Sequence, residues 1–162
     1  MKYILSIAAF IMLSAFSFPG VNSIHSFKVK SIEGKSIDFS SFKGKKILVV
    51  NTASKCGYTP QYDALQKVYN QYKDAKFNSG KGFTVYSYSL DQNKDRWVAA
   101  IAQDQLAWPN HTSDLKGWNA EGAGVYGVRS IPMTYLLDGE GKIIAKGLRG
   151  PALEEKLKSM LK

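Results

Sequence analysis

Cysteine is nearly absent from this chain: 162 residues carry one, Cys56. No intramolecular disulfide can form, which excludes a small scaffold stapled by disulfides, and no second thiol on the chain can resolve an oxidised Cys56. Histidine is scarce too. His25 and His111 are the only two. They lie far apart in sequence, with no carboxylate cluster at ligand spacing, so neither a metal site nor a cofactor is expected. There is no arginine-rich arm, finger or helix-turn-helix signature, so no nucleic-acid partner is expected. No repeat or low-complexity tract appears, and the glycines of Gly122-Ala123-Gly124 and Gly139-Glu140-Gly141 read as turns, not as a phosphate loop.

Long apolar runs are lacking but for one, Ile4 to Phe18, broken by Ser6, Ser14 and Ser17. It is shorter than the roughly 20 residues a membrane span needs. Lys2 precedes it, Pro19-Gly20 end it, and Val21-Asn22-Ser23 offers small residues at the two positions a signal peptidase reads. Residues 1–23 are therefore expected to be a cleaved export signal. The alternative is an uncleaved anchor. No cysteine follows the run to take a lipid. The mature domain, residues 24–162, is expected outside the cytoplasm, periplasmic or extracellular, with no stable membrane span after cleavage. Loss of Lys2 lowers the net charge of +9 by one. The lysines are scattered, densest at Lys43, Lys45 and Lys46 and again at Lys156, Lys158 and Lys162, and read as a solvated surface.

What is present is organised around Ile47 to Gln61. An apolar run, Ile47 to Val50, reads as a buried strand. It opens into small and polar residues, then Cys56, then an amphipathic helix from Pro60 to about Ala75 with Leu65, Val68, Tyr69 and Tyr72 on one face. That puts a thiol at a helix N-terminus, where free N–H groups and the helix dipole favour a thiolate. Proline is tolerated there because its missing N–H would be unpaired anyway.

The remaining pattern gives a weak edge strand at Ser26–Lys30, a return strand at Ser36–Phe39 and a loop at Asn78–Gly82. A strand at Phe83–Leu90 is followed by a helix at Asp95–Asp104, with Trp97, Val98 and Ile101 inward. An irregular stretch at Gln105–Gly117 precedes a short helix at Ala120–Tyr126. A strand at Met133–Leu137 turns through Asp138-Gly139-Glu140-Gly141 into Lys142–Lys146. A last helix, Pro151–Leu161, offers Leu153, Leu157, Met160 and Leu161 to the core. Trp97, Trp108 and Trp118 read as core or crevice wall. The fold class is α/β, a mixed central sheet with helices on both faces, ending in a hairpin plus helix.

The element order, with cysteine at the first strand-to-helix corner and Ile131-Pro132 before the later hairpin, resembles the thioredoxin fold. From Leu90 onward, SLDQNKDRW, WPNHTSDLKGWN and VYGVRSIPMTYLLDGEGKIIAKGLRG resemble exported redoxins and thiol–disulfide oxidoreductases, whose site reads Trp-Cys-x-x-Cys. Here that place holds Lys55-Cys56-Gly57-Tyr58-Thr59. The stretch Asn51 to Tyr62, NTASKCGYTPQY, is instead similar to the glutathione peroxidase motif, and Gln92 sits where those peroxidases carry a glutamine after the next strand. Their tryptophan–asparagine pair has no counterpart, since Ser130-Ile131 occupies that segment and Trp118-Asn119 lies upstream.

The resemblance implies a thiol peroxidase. Cys56 would attack the hydroperoxide, Thr59 and Gln92 would support it, and Lys55, Gly57, Tyr58, Ile131 and Pro132 would line the substrate site. Its partners would be a hydroperoxide and an external thiol reductant. Pro132 corresponds to the cis-proline facing the active cysteine. Blander alternatives stand beside each role: a buried Cys56, a Thr59 that only caps the helix, a loop glutamine, a strand-entry proline, and Asn51 and Ser54 bracing the loop. A Cys56–His111 pair is possible in space, without support from spacing. Two other functions are compatible with the chain: a monothiol disulfide oxidoreductase acting on a disulfide-bearing protein, and a non-catalytic binding module.

Overall fold

The computed structural model describes residues 23–54 and 59–162, without the side chains of Thr59, Pro60 and Val125. The expected export signal, save Ser23, lies outside the described residues, as do Lys55, Cys56, Gly57 and Tyr58. A 3-10 turn, Ile24–Ser26, leads into a hairpin of β1 (Lys28–Lys30) and β2 (Ser36–Asp38). After a second 3-10 turn, Phe39–Phe42, come β3 (Lys46–Thr52), α1 (Thr59–Tyr72), β4 (Lys76–Phe77), β5 (Gly80–Lys81), β6 (Phe83–Ser89) and α2 (Lys94–Gln103). The chain continues through β7 (Asn110–Thr112), a 3-10 turn at Gly117–Asn119, α3 (Glu121–Tyr126), β8 (Met133–Leu137), β9 (Ile143–Lys146) and α4 (Gly150–Lys158).

Five strands form the central sheet in the order β7-β6-β3-β8-β9. β6 runs parallel to both β3 and β7, whereas β8 is antiparallel to β3 and to β9. All seven residues of β3 are buried, because a strand paired on both edges and covered on both faces has no solvent side. Its side chains alternate. Leu48 and Val50 join Leu65, Val68 and Tyr72 of α1 and Leu153 and Leu157 of α4 on one face. Ile47 and Val49 join Phe39, Tyr86, Tyr135 and Ala123 of α3 on the other. The result is the α/β sandwich of a thioredoxin-type fold.

Local chemistry sets the element ends. Asn93 caps α2 by accepting the Arg96 N–H at 2.9 Å, and α3 stops at Gly127, whose φ of 62° suits glycine. At the end of the sheet opposite Ser54 and Asp91, three loops meet without room for side chains. The Gly44 N–H donates to the Gly139 carbonyl at 2.9 Å, and a Cβ on Gly80, where φ is +131°, would sit on the Gly44 carbonyl. The N-terminal segment is tied to the same corner: the His25 ring nitrogens face the carbonyls of Phe39 and Gly139 at 2.9 and 3.0 Å.

Several expectations need correction. Asn78–Gly82 is not a plain loop, since β4 and β5 make a small hairpin across it. The irregular stretch after Gln105 contains β7, an edge strand without apolar alternation. Lys46 is not on the solvated surface: it is 2% exposed, and its ammonium donates to Ser79 Oγ at 2.8 Å. Val98, Trp118 and Leu161 are exposed, and Met160 only borders the core. α4 ends at Lys158, so Leu161 has left the helical face that buries Leu153 and Leu157.

Leu153→Ala should therefore cost about 2–5 kcal/mol of stability, whereas Leu161→Ala should fall within about 0.5 kcal/mol of the unaltered protein. Urea unfolding of the two variants checks the difference.

Candidate active site at the strand ends

Pairing brings three strand ends together. Thr52 lies opposite Ser89, and Asn51 opposite Met133. Ala53-Ser54, Leu90-Asp91-Gln92 and Ile131-Pro132 therefore leave the same edge of the sheet, with the start of α1 at Thr59 following after four residues. Cys56 belongs to those four. A helix N-terminus following a strand end at the lip of an open α/β sheet is where such folds place ligands and reactive groups.

Asp91 holds this edge. Both carboxylate oxygens take the Ser54 N–H, at 3.1 and 2.9 Å, and the Ser54 hydroxyl donates to Oδ1. The Ser89 hydroxyl donates to Oδ2 at 2.6 Å, and its oxygen accepts the Asp91 N–H at 2.9 Å. Leu90 N–H closes the bracket on the Thr52 carbonyl at 2.8 Å. The segment leading to Cys56 is thus fixed by a buried carboxylate that sequence reading passed over in favour of its neighbour Gln92. The available signal was an acidic residue two positions after a serine at the end of an apolar strand. Ser54 braces the loop as expected, but through a side chain 37 residues away. Asn51 does not: its Oδ1 has no hydrogen-bond partner among the described residues.

The remaining residues divide. Gln92 is exposed, and its side chain lies on Gly117, where a Cβ would come within 3.1 Å of Gln92 Cγ and Nε2. The Ile131–Pro132 peptide bond is cis, the geometry the thioredoxin resemblance implies. Pro132 is buried, and its carbonyl accepts from the Arg149 guanidinium at the start of α4; sequence reading did not single out Arg149. Lys55, Cys56, Gly57 and Tyr58 lie outside the described residues, and so does the Thr59 side chain.

His111 sits on β7 with Nδ1 2.7 Å from Ser87 Oγ, its ring stacked on Trp108. Trp108 Nε1–H donates to the same Ser87 oxygen at 3.1 Å. Burial pushes the His111 imidazole below its ordinary value, against the opposing pull of hydrogen bonds at Trp108 and Leu106. A gap of about 10 Å³ lies between Thr52, Ser54, Asp91, Tyr62 of α1, α2 and His111, room for about one water. No group of three or more potential metal ligands occurs among the described residues, and none of their helices is long and apolar enough to cross a membrane.

Fold and strand-end geometry define a thioredoxin-like protein, and comparison with known proteins places the chain more narrowly. A glutathione peroxidase family model matches residues 24–95. The thioredoxin domain of a thiol-disulfide oxidoreductase from Bacteroides vulgatus is 31% identical, with a TM-score of 0.72 over 84% of this chain and 93% of that one. A glutathione peroxidase homolog of Neisseria meningitidis is 40% identical over 73 residues, 45% of this chain but only 38% of its own length. Glutathione peroxidase-like peroxiredoxin 2 of Saccharomyces cerevisiae is 29% identical over 86% of this chain and 97% of its own. The chain belongs to the thioredoxin-like superfamily, with a peroxidase-like N-terminal half on a body shared with thiol-disulfide oxidoreductases.

Asp91→Ala leaves the Ser54 N–H and two hydroxyls without their acceptor, so it should lower stability by about 3 kcal/mol, against about 1 kcal/mol for Ser54→Ala, both read by urea unfolding. His111 also makes stability depend on pH. Its folded value lies below the unfolded 6.5, so the stability carried by the neutral ring is full above that value and is lost as pH falls through the folded one. His111→Asn should flatten the decline in urea midpoint as pH falls below about 6.5.

Proposed function

We propose that this protein is an exported thiol peroxidase that uses Cys56 alone. The observation that carries the reading is the glutathione peroxidase match over residues 24–95, which spans the Cys56 motif and Gln92 in a chain with no other thiol. The Cys56 thiolate, favoured by the N-terminus of the 14-residue α1, attacks one oxygen of a hydroperoxide. An S–O bond forms, the O–O bond breaks, and the leaving oxygen departs as water or alcohol after taking a proton. The sulfenic acid condenses with an external thiol, releasing water and leaving a mixed disulfide. A second external thiol displaces Cys56 as thiolate, so two thiols are oxidised to a disulfide for each peroxide reduced.

Thr59 would donate its hydroxyl to the thiolate or cap α1, and Gln92 would donate to the peroxide or to the Cys56 sulfur from the neighbouring strand end. Lys55, Gly57, Tyr58, Ile131 and Pro132 would border the substrate. Asp91 keeps Ser54, two residues before the nucleophile, in place. Residues 1–23 would direct the chain out of the cytoplasm and be removed there.

The Bacteroides vulgatus similarity favours a second reading, monothiol exchange with a disulfide-bearing protein. Cys56 would form the mixed disulfide, but an external thiol would have to release it. If neither reaction occurs, a non-catalytic binding module is what stands.

Stopped-flow oxidation by hydrogen peroxide, followed by tryptophan fluorescence and by mass detection of the sulfenic acid, separates these readings. Saturation at one equivalent, far faster than a free thiol and absent in Cys56→Ser, is expected. Gln92→Leu should slow it by roughly tenfold, the worth of one hydrogen bond to a charged group. Oxidation no faster than a free thiol, with rapid mixed-disulfide formation instead, would replace the peroxidase with the exchange protein.

A further inference from the structure

Lysines from two distant stretches of the chain meet at the end of the sheet opposite Ser54 and Asp91. In the β4–β5 hairpin, Lys76 lies directly across from Lys81, and both are exposed. Phe77, the next residue, is buried in the core cluster of α1 and α4, so alternation along the strand turns Lys76 and its partner outward. Two more lysines close in. The Lys45 side chain runs beside Gly82, where a Cβ would lie 3.6 Å from its Cγ, and the Lys73 carbonyl accepts the Phe83 N–H at 3.1 Å. Beneath the hairpin, the buried Lys46 ammonium is bonded to Ser79 Oγ and lies 5.8 Å from the centre of the Phe77 ring.

Opposing charge is sparse there. Among the described residues, no carboxylate comes within 4.0 Å of the ammonium of Lys45, Lys46, Lys76 or Lys81, while Lys73 has Asp74 at 4.0 Å. The adjoining β8–β9 turn brings Asp138 and Glu140 together with Lys142, and Asp138 is occupied by the N–H groups of the other two. Like charges directly opposite each other weaken a strand pair, and a buried ammonium is ordinarily paired. A polyanion laid against the hairpin would relieve both.

We propose that this end of the protein docks on an anionic phospholipid surface, with the β4–β5 hairpin on the headgroups. A bilayer fits better than an acidic protein because an apolar side chain stands at the same place. Leu161 is exposed and bridges to Phe77, so it can enter the headgroup layer that the lysines face. β3 and β6, seven residues each, hold the two ends of the sheet about 20 Å apart. Docking therefore leaves the edge with Ser54 and Asp91 turned towards solvent, whichever reaction is carried out there. Attraction of this kind is weakened by salt.

The probes are vesicles of phosphatidylcholine alone and of phosphatidylcholine with phosphatidylglycerol, sedimented with the full chain. The first kind registers whatever the apolar run Ile4–Phe18 contributes, and the difference between them is the quantity of interest. Lys76→Gln/Lys81→Gln should weaken the phosphatidylglycerol-dependent binding by roughly thirtyfold at low salt. Lys30→Gln/Lys35→Gln, which removes the same charge from the β1–β2 hairpin, should weaken it by less than about threefold. In a Cys56→Ser background, a fluorophore on Asn78→Cys should be quenched by spin-labelled lipid, and one on Gln92→Cys should not. No preference for the anionic vesicles, equal losses in the two lysine pairs, or equal quenching at the two labels would each overturn the proposal. So would binding of polyglutamate without binding of vesicles, which would give the surface to an acidic protein.

Discussion

The architecture depends on the complete burial of β3. A strand bonded to neighbours on both edges and covered on both faces has no freedom to slip, because a shift of one residue would exchange the side chains committed to the two core clusters. Leu48 and Val50 belong to α1 and α4, Ile47 and Val49 to α3 and the N-terminal turns. Once that register is set, the pairing of Thr52 with Ser89 and of Asn51 with Met133 follows. The edge that leads to Cys56 is thus a consequence of core packing at Ile47 to Val50, six to nine residues before it. Stability and site geometry share one source.

The strand before Cys56 and the helix after it were legible because hydrophobic burial writes itself into composition. Ile47 to Val50 is a continuous apolar run, and Leu65, Val68 and Tyr72 recur at helical spacing. β7 was hidden for the opposite reason. Asn110, His111 and Thr112 are polar, and they sit at a sheet edge because their side chains find partners on β6, Asn110 at Thr84 and His111 at Ser87. Polar pairing across 24 to 26 residues leaves no local pattern.

The candidate site was read by analogy more than by physics. The glutathione peroxidase-like motif and the proline before β8 came from resemblance, and no periodicity would have found them. Asp91 needed the fold: its chief partner, Ser54, is distant in sequence, and a lone aspartate after a strand ordinarily reads as a solvated turn. Arg149 escaped for the same reason, since its contact with Pro132 exists only once α4 has packed. Lys46 shows the reverse error, because a lysine in a basic cluster reads as surface until its neighbours close over it.

At the far end of the sheet, Gly44, Gly80 and Gly139 occupy a junction with no spare volume. The loops they belong to come from distant parts of the chain, yet none can vary alone. A side chain gained at Gly80 displaces the Gly44 carbonyl and, through it, the bond to Gly139. In divergent relatives these three loops should therefore change length together or not at all, leaving sequence drift to the opposite rim.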